Sequence, residues 1–155
     1  MYKFIAIACI ALSVIIISCK SSSNNNLVDN SVNNAISATI ADSSFSVSGK
    51  TVSGQYYDTS VFKVVVLYGL SSTSATPSME IILEGFDLSI KKYNIVDTGA
   101  VTAAIFYVPN GGAPISAKSG SVVLSKVTDT HIVGTFTCIL TDGTTITNGK
   151  LNIIY

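Results

Sequence analysis

The chain has 155 residues, 48% of them hydrophobic, with three cysteines, no tryptophan and nine basic against nine acidic side chains. All nine basic residues are lysines. A balanced charge without arginine supplies neither the clustered positive face nor the planar guanidinium fork used on phosphates, so no nucleic-acid partner is expected.

Residues 1–18 read as an export signal. Lys3 gives a short positive start, and residues 4–17 form an uncharged apolar run of signal length, too short to span a bilayer comfortably. The run ends in Ile16-Ile17-Ser18-Cys19, which resembles the bacterial lipobox, and gives way at once to Lys20 and a Ser/Asn-rich stretch. The resemblance implies cleavage after Ser18 and lipidation of Cys19. Each buried methylene adds about 0.8 kcal/mol, so two or three acyl chains on one cysteine replace a transmembrane helix as an anchor. Residues 19–34 then form a polar tether without apolar periodicity, and residues 35–155 form one domain large enough to be held by its own core. Cys9 leaves with the signal and Cys19 carries lipid, so Cys138 is left without an intramolecular partner. It shares parity with Phe136 in an alternating run and reads as a buried structural thiol.

The domain is dense in Val, Ile, Thr, Ser and Tyr in short runs broken by Gly, Asn, Asp and Pro, without sustained helical spacing. This predicts an all-β fold: a single antiparallel β-sandwich or flattened barrel of about 8–10 short strands. The expected strands are 36–41, 45–49, 51–57, 61–68, 78–83, 93–96, 101–107, 121–127, 130–140 and 144–155. Asp142-Gly143 between the last two predicts a hairpin closed by a type I′ turn. In the final strand, Ile146 is out of phase with Leu151, Ile153 and Tyr155. A bulge at Asn148-Gly149 restores the phase, and a second tight turn between two very short strands is the alternative. The segment 109–114, with prolines at both ends and two glycines, reads as a loop.

The runs Gly120-Ser121-Val122-Val123-Leu124, Val133-Gly134-Thr135-Phe136-Thr137 and Ile146-Thr147-Asn148-Gly149-Lys150-Leu151 resemble a pattern found in small Bacteroidetes lipoproteins of uncharacterised function. The resemblance implies an all-β domain behind a lipobox. It implies no activity and no site residues.

Catalytic groups are sparse. His131 is the sole histidine and lies beside a turn, no Gly-x-Ser-x-Gly elbow occurs, and one His with one free Cys cannot fill a zinc shell. No metal or cofactor is expected. Asp97, Asp129 and Asp142 read as turn residues. Glu80 and Glu84 share parity on one strand and, with Asp87, form the one acidic grouping that glycoside hydrolysis could draw on. An outward strand face accounts for them more simply. Adjacent Tyr56 and Tyr57 put one ring on each face of a strand, so one of them is a candidate contact for a ligand or partner.

The sequence therefore points to a non-catalytic, lipid-anchored binding or interaction module of the cell envelope. A lipocalin-like carrier of a small apolar ligand is the alternative, and a hydrolase using the acidic grouping is the weakest reading. Lys20 after the lipidated cysteine, in place of an acidic residue, points to the outer membrane, and the lack of an acidic cluster in residues 21–26 points to its periplasmic face, with the cell surface as the alternative.

Overall fold

The computed structural model describes residues 34–58, 63–70, 77–85, 88–96 and 102–155, so the export signal, Ser18, Cys19 and most of the tether lie outside the described residues. Ten strands follow one another: β1 (Ala35–Ile40), β2 (Ser43–Ser48), β3 (Val52–Asp58), β4 (Lys63–Gly69), β5 (Ser78–Gly85), β6 (Lys92–Val96), β7 (Ala103–Val108), β8 (Ile115–Thr128), β9 (His131–Leu140) and β10 (Thr145–Ile154). All pair antiparallel in the order β2-β1-β10-β9-β8-β7-β5-β4-β3, with β6 also alongside β8. The two end strands, β2 and β3, are joined by a single 3-10 turn at Gly49–Thr51. One sheet thus folds back on itself into a nearly closed, flattened barrel.

The fold turns its corner on β8. Ile115 and Ser116 pair with β7, whereas Ser119 to Val123 pair with β6. Between them the register against β9 shifts, from Ala117 opposite Leu140 to Ser119 opposite Ile139. This bulge bends the strand, as extra residues in a ladder do. Gly120 follows with φ 141°, a conformation open to glycine and strained for any side chain.

Alternation then sets the interior. Ile36, Leu67, Ile81, Leu83, Val122, Ile132, Phe136, Ile146 and Ile153 come from both halves and pack in one core. The halves meet directly: Phe45 on β2 sets its ring edge-on to Tyr107 on β7, with centroids 6.3 Å apart. Tyr93 is wholly buried, and its hydroxyl accepts from Ser89 N–H at 2.9 Å and donates to Ser89 O at 3.1 Å. Burying a tyrosine costs little when its polar end is satisfied in this way.

Asn34, the last residue of the expected tether, is built into the fold. Its side-chain amide donates to Val52 O at 3.2 Å and Ile154 O at 3.1 Å, and its oxygen accepts from Ile154 N–H at 2.8 Å. One amide thereby extends the β1–β10 ladder and ties it to the start of β3.

Two turns differ from expectation. The β9–β10 hairpin is not closed by a type I′ turn: only Gly143 of the Asp142-Gly143 pair has positive φ, at 91°. Gly143 N–H bonds to Leu140 O at 3.0 Å, Leu140 N–H bonds to Thr144 O at 2.8 Å, and Asp142 Oδ1 accepts from Thr144 N–H at 2.9 Å. A three-residue loop with glycine at its left-handed position spares Asp142 that conformation. The two-residue turn with both φ positive lies instead at Ala41-Asp42, φ 44° and 67°, between β1 and β2. Alanine tolerates this poorly, by roughly 1–2 kcal/mol. Ala41→Asn should therefore raise stability by about 0.5–1 kcal/mol, read as a higher urea midpoint with an unchanged slope.

The final strand contains the bulge. Ile146 pairs with Cys138 and Gly149 with Phe136, so an extra residue lies between them, and Asn148 has φ 52°. Ile146, Leu151 and Ile153 are all buried as a result.

Candidate functional site

The two halves of the barrel differ on their outer faces. On the β9–β10 half, outward positions mix Thr135, Thr137, Thr145, Thr147, Lys150 and Asn152 with Val133, Ile139 and Ile154, and the last two are 40% and 39% exposed. On the β3-β4-β5-β7 half the alternation breaks down. β4 reads Val64-Val65-Val66-Leu67, β5 reads Met79-Glu80-Ile81-Ile82-Leu83, and β7 reads Ala103-Ala104-Ile105-Phe106. Val65, Leu67, Ile81, Leu83 and Ile105 face the core, so Val66, Ile82, Ala104 and Phe106 face outward. Val66 and Ile82 are nevertheless only 6% exposed each.

Pairing arranges this face in three rows. Ser53, Tyr68, Glu80 and Phe106 form the first, Gln55, Val66, Ile82 and Ala104 the second, and Tyr57, Val64 and Glu84 the third. Neighbours within a row stand about 4.8 Å apart and successive rows roughly 6.8 Å apart. An apolar middle row is thus flanked by rows carrying aromatic rings and carboxylates. Tyr57 is 40% exposed, and its hydroxyl donates to Gln55 Oε1, which leans the ring along β3 toward the second row. The Tyr68 hydroxyl is pushed up to about 12 by burial, with Glu80 and Tyr57 adding to the effect. It therefore stays a hydrogen-bond donor at any physiological pH.

Burial also raises the carboxyls of Glu80 and Glu84 above the usual carboxylate value. A group whose folded value lies above its unfolded one binds its proton more tightly in the fold. Stability then increases as pH falls through the folded value and is reduced above it. Glu80→Gln with Glu84→Gln should accordingly stabilise the fold at pH 7, by less than about 1 kcal/mol per site because water screens half-exposed groups. The gain should shrink as denaturation is repeated toward pH 4. An unchanged gain across that range would mean that ionisation is not its source.

Four residues along one strand set the α-carbons of Glu80 and Glu84 roughly 13 Å apart, with Ile82 between them. Asp87 and Asp97 lie outside the described residues.

Of the tyrosine pair, only Tyr57 joins this face. Tyr56, 41% exposed, points to the other side of β3 and stacks on Tyr155 with centroids 6.1 Å apart. His131 is engaged elsewhere: Nδ1 lies 2.9 Å from Lys126 Nζ and Nε2 lies 2.6 Å from Asn152 Oδ1. An ammonium can only donate, so Nδ1 accepts and Nε2 carries the proton that goes to Asn152. Cys138 is 4% exposed on the inner side of β9. Among the described residues no group of three or more His, Cys, Asp or Glu is placed to hold a metal ion, and no helix is long and apolar enough to cross a membrane.

Sequence reasoning singled out Tyr57 and, as one acidic grouping, Glu80 with Glu84, and it did not single out Gln55 or Phe106. Only the strand register brings them onto one surface. Comparison of the chain with known proteins gives no match, whether to a family model, to a curated protein or to a solved structure.

Proposed function

We propose that the chain is a non-catalytic, lipid-anchored binding module of the cell envelope, which meets its partner through the outer face of β3-β4-β5-β7. The export signal of residues 1–18 and the lipobox ending in Cys19 support the anchor, Lys20 supports an outer-membrane position, and the lack of an acidic cluster in residues 21–26 supports the periplasmic face. The observation that carries the binding face is Glu80 and Glu84 held half-buried beside Val66 and Ile82. Such carboxylates work against stability at neutral pH, and a face kept at that cost is a binding-site candidate.

The carrier reading needs open space between the inner faces. At Gly69 a β-carbon would stand 2.7 Å from Val47 Cγ2 and 3.2 Å from Ile36 Cδ1, and at Gly54 it would stand 2.7 Å from Tyr155 Cβ. Side chains from the opposite half already fill those places, which favours the surface module.

Two measurements test the proposal. Cys19→Ala should move the protein from the membrane fraction to the soluble envelope fraction, and the wild-type N-terminus should carry the mass of acyl chains. A photo-crosslinking residue at Tyr57 should give adducts in intact envelopes that the same residue at Thr135 does not. Equal adducts from both positions, or none from either, would remove the binding face from the proposal.

A further inference from the structure

Resting on that binding face, we infer that its ligand is a neutral glycan chain, a polymer of uncharged pyranose units laid across the rows of Tyr57 and Tyr68. Charge is the first argument. The face carries Glu80 and Glu84 and, among its described residues, no lysine. A polyanion, whether nucleic acid, anionic lipid or acidic polysaccharide, would bring negative charge onto two poorly hydrated carboxylates. A second copy docked face to face would oppose the same carboxylates to each other, a like-charge contact in a desolvated interface.

The surface chemistry is the second argument. An apolar partner needs contiguous exposed apolar area, but Val66 and Ile82 in the middle row are already 6% exposed each. What a ligand meets is aromatic and polar: the Tyr57 ring, Tyr68, the Gln55 amide and the two carboxylates. A pyranose presents weakly apolar C–H faces and a rim of hydroxyls. Rigid tyrosine rings offer flat contact area at little entropic cost, while the hydroxyls donate to Glu80, Glu84 and Gln55 and accept from Tyr68. Hydrogen bonds to an ionised acceptor are about twice as strong as neutral ones. They also satisfy the carboxylates without desolvating a second ion, which pairing with a basic peptide would require.

The test is titration calorimetry of the full protein, extracted from membranes in a neutral non-glycosidic detergent, against soluble oligosaccharides of glucose, mannose, galactose, xylose and N-acetylglucosamine. Polygalacturonate serves as the acidic comparison. The expected result is saturable binding of at least one neutral series and none of the polyanion. Tyr57→Ala and Glu80→Gln, both at partly exposed positions, should each weaken binding tenfold or more, and Thr135→Ala on the opposite half should leave it unchanged. No heat with any neutral series at millimolar concentration overturns the glycan assignment, as does binding that survives both variants. If adducts still form from position 57 in envelopes, the face remains a binding surface and only its ligand class is lost. If they do not, the binding reading falls with it.

Discussion

Gly120→Ala is expected to cost at least about 4 kcal/mol, enough to leave most of the protein unfolded or insoluble when expressed, since domains of this size are stable by only about 5–15 kcal/mol. Two causes add. The residue has φ 141°, which strains any side chain. A β-carbon there would also stand 2.2 Å from Thr137 O and 2.6 Å from Cys138 Cα, both backbone atoms of the paired β9. A flexible side chain could swing aside, but a strand held on both edges cannot. The change therefore forces β8 away from β9 at the point where the sheet turns from β7 to β6. Gly111→Ala separates the causes. It has φ 64°, with nothing within 4 Å of the added carbon, so only backbone strain of about 1–2 kcal/mol applies. Urea denaturation of the two variants should show the large difference. Equal, small losses would mean that the β8 corner can relax and does not fix the fold.

That corner also marks where sequence reasoning stopped short. Strands with one apolar face, such as β9, announce themselves by alternation, and all ten expected strands are present. The first half of β8, Ile115-Ser116-Ala117-Lys118-Ser119-Gly120, lies outside the expected strands, because Ile115 and Ala117 alternate with Ser116 and Lys118 for only four residues before Ser119 and Gly120 break the pattern. Its residues change neighbours within a few positions and bulge against β9, so no single face is buried long enough to leave a period. The Asn148-Gly149 bulge was legible for the opposite reason: two well-phased apolar sets on either side of it can share the core only if a residue is inserted. The Ala41-Asp42 turn was not, because alanine is a poor left-handed residue and its conformation is imposed by the β1–β2 register.

The candidate face was half legible. Tyr57 stands out as one of two adjacent aromatics and a candidate contact, and Glu80 with Glu84 by parity, although an outward strand face accounts for the carboxylates more simply. The decisive relation is lateral. Tyr68 lies opposite Glu80, and Gln55 opposite Val66, because β3, β4 and β5 pair in one particular register. A one-residue slip would send all these side chains into the core. Local periodicity holds no information on that choice, which is settled by the fit of Val65, Leu67, Ile81 and Leu83 between the two halves.

Cys138 gives the second large effect. It is 4% exposed between Gly120 and Ile146, and burial pushes its thiol up to about 12 from 9.0. At pH 8 such a thiol is ionised about a thousandfold less than an ordinary one, and the thiolate is the species that alkylates. The reagent must in addition reach the inner side of β9. Iodoacetamide labelling of Cys138 in the folded protein at pH 8 should thus run at least a thousandfold slower than in urea. Raising native-state pH from 8 to 9 should accelerate direct labelling about tenfold, because a thiol near 12 is still almost wholly protonated, whereas the unfolded form, already titrating near 9.0, gains only about fivefold. If labelling proceeds by opening, its rate should rise in step with destabilising substitutions such as Gly111→Ala. Native labelling within tenfold of the urea rate would mean that β9 does not present Cys138 inward, and the register linking it to Gly120 and Ile146 would have to be redrawn. An inert Cys138 also bears on the anchor. In the proposed lipoprotein, with Cys9 removed and Cys19 acylated, the exported domain would have no accessible thiol for a disulfide and would rely on packing and lipid alone.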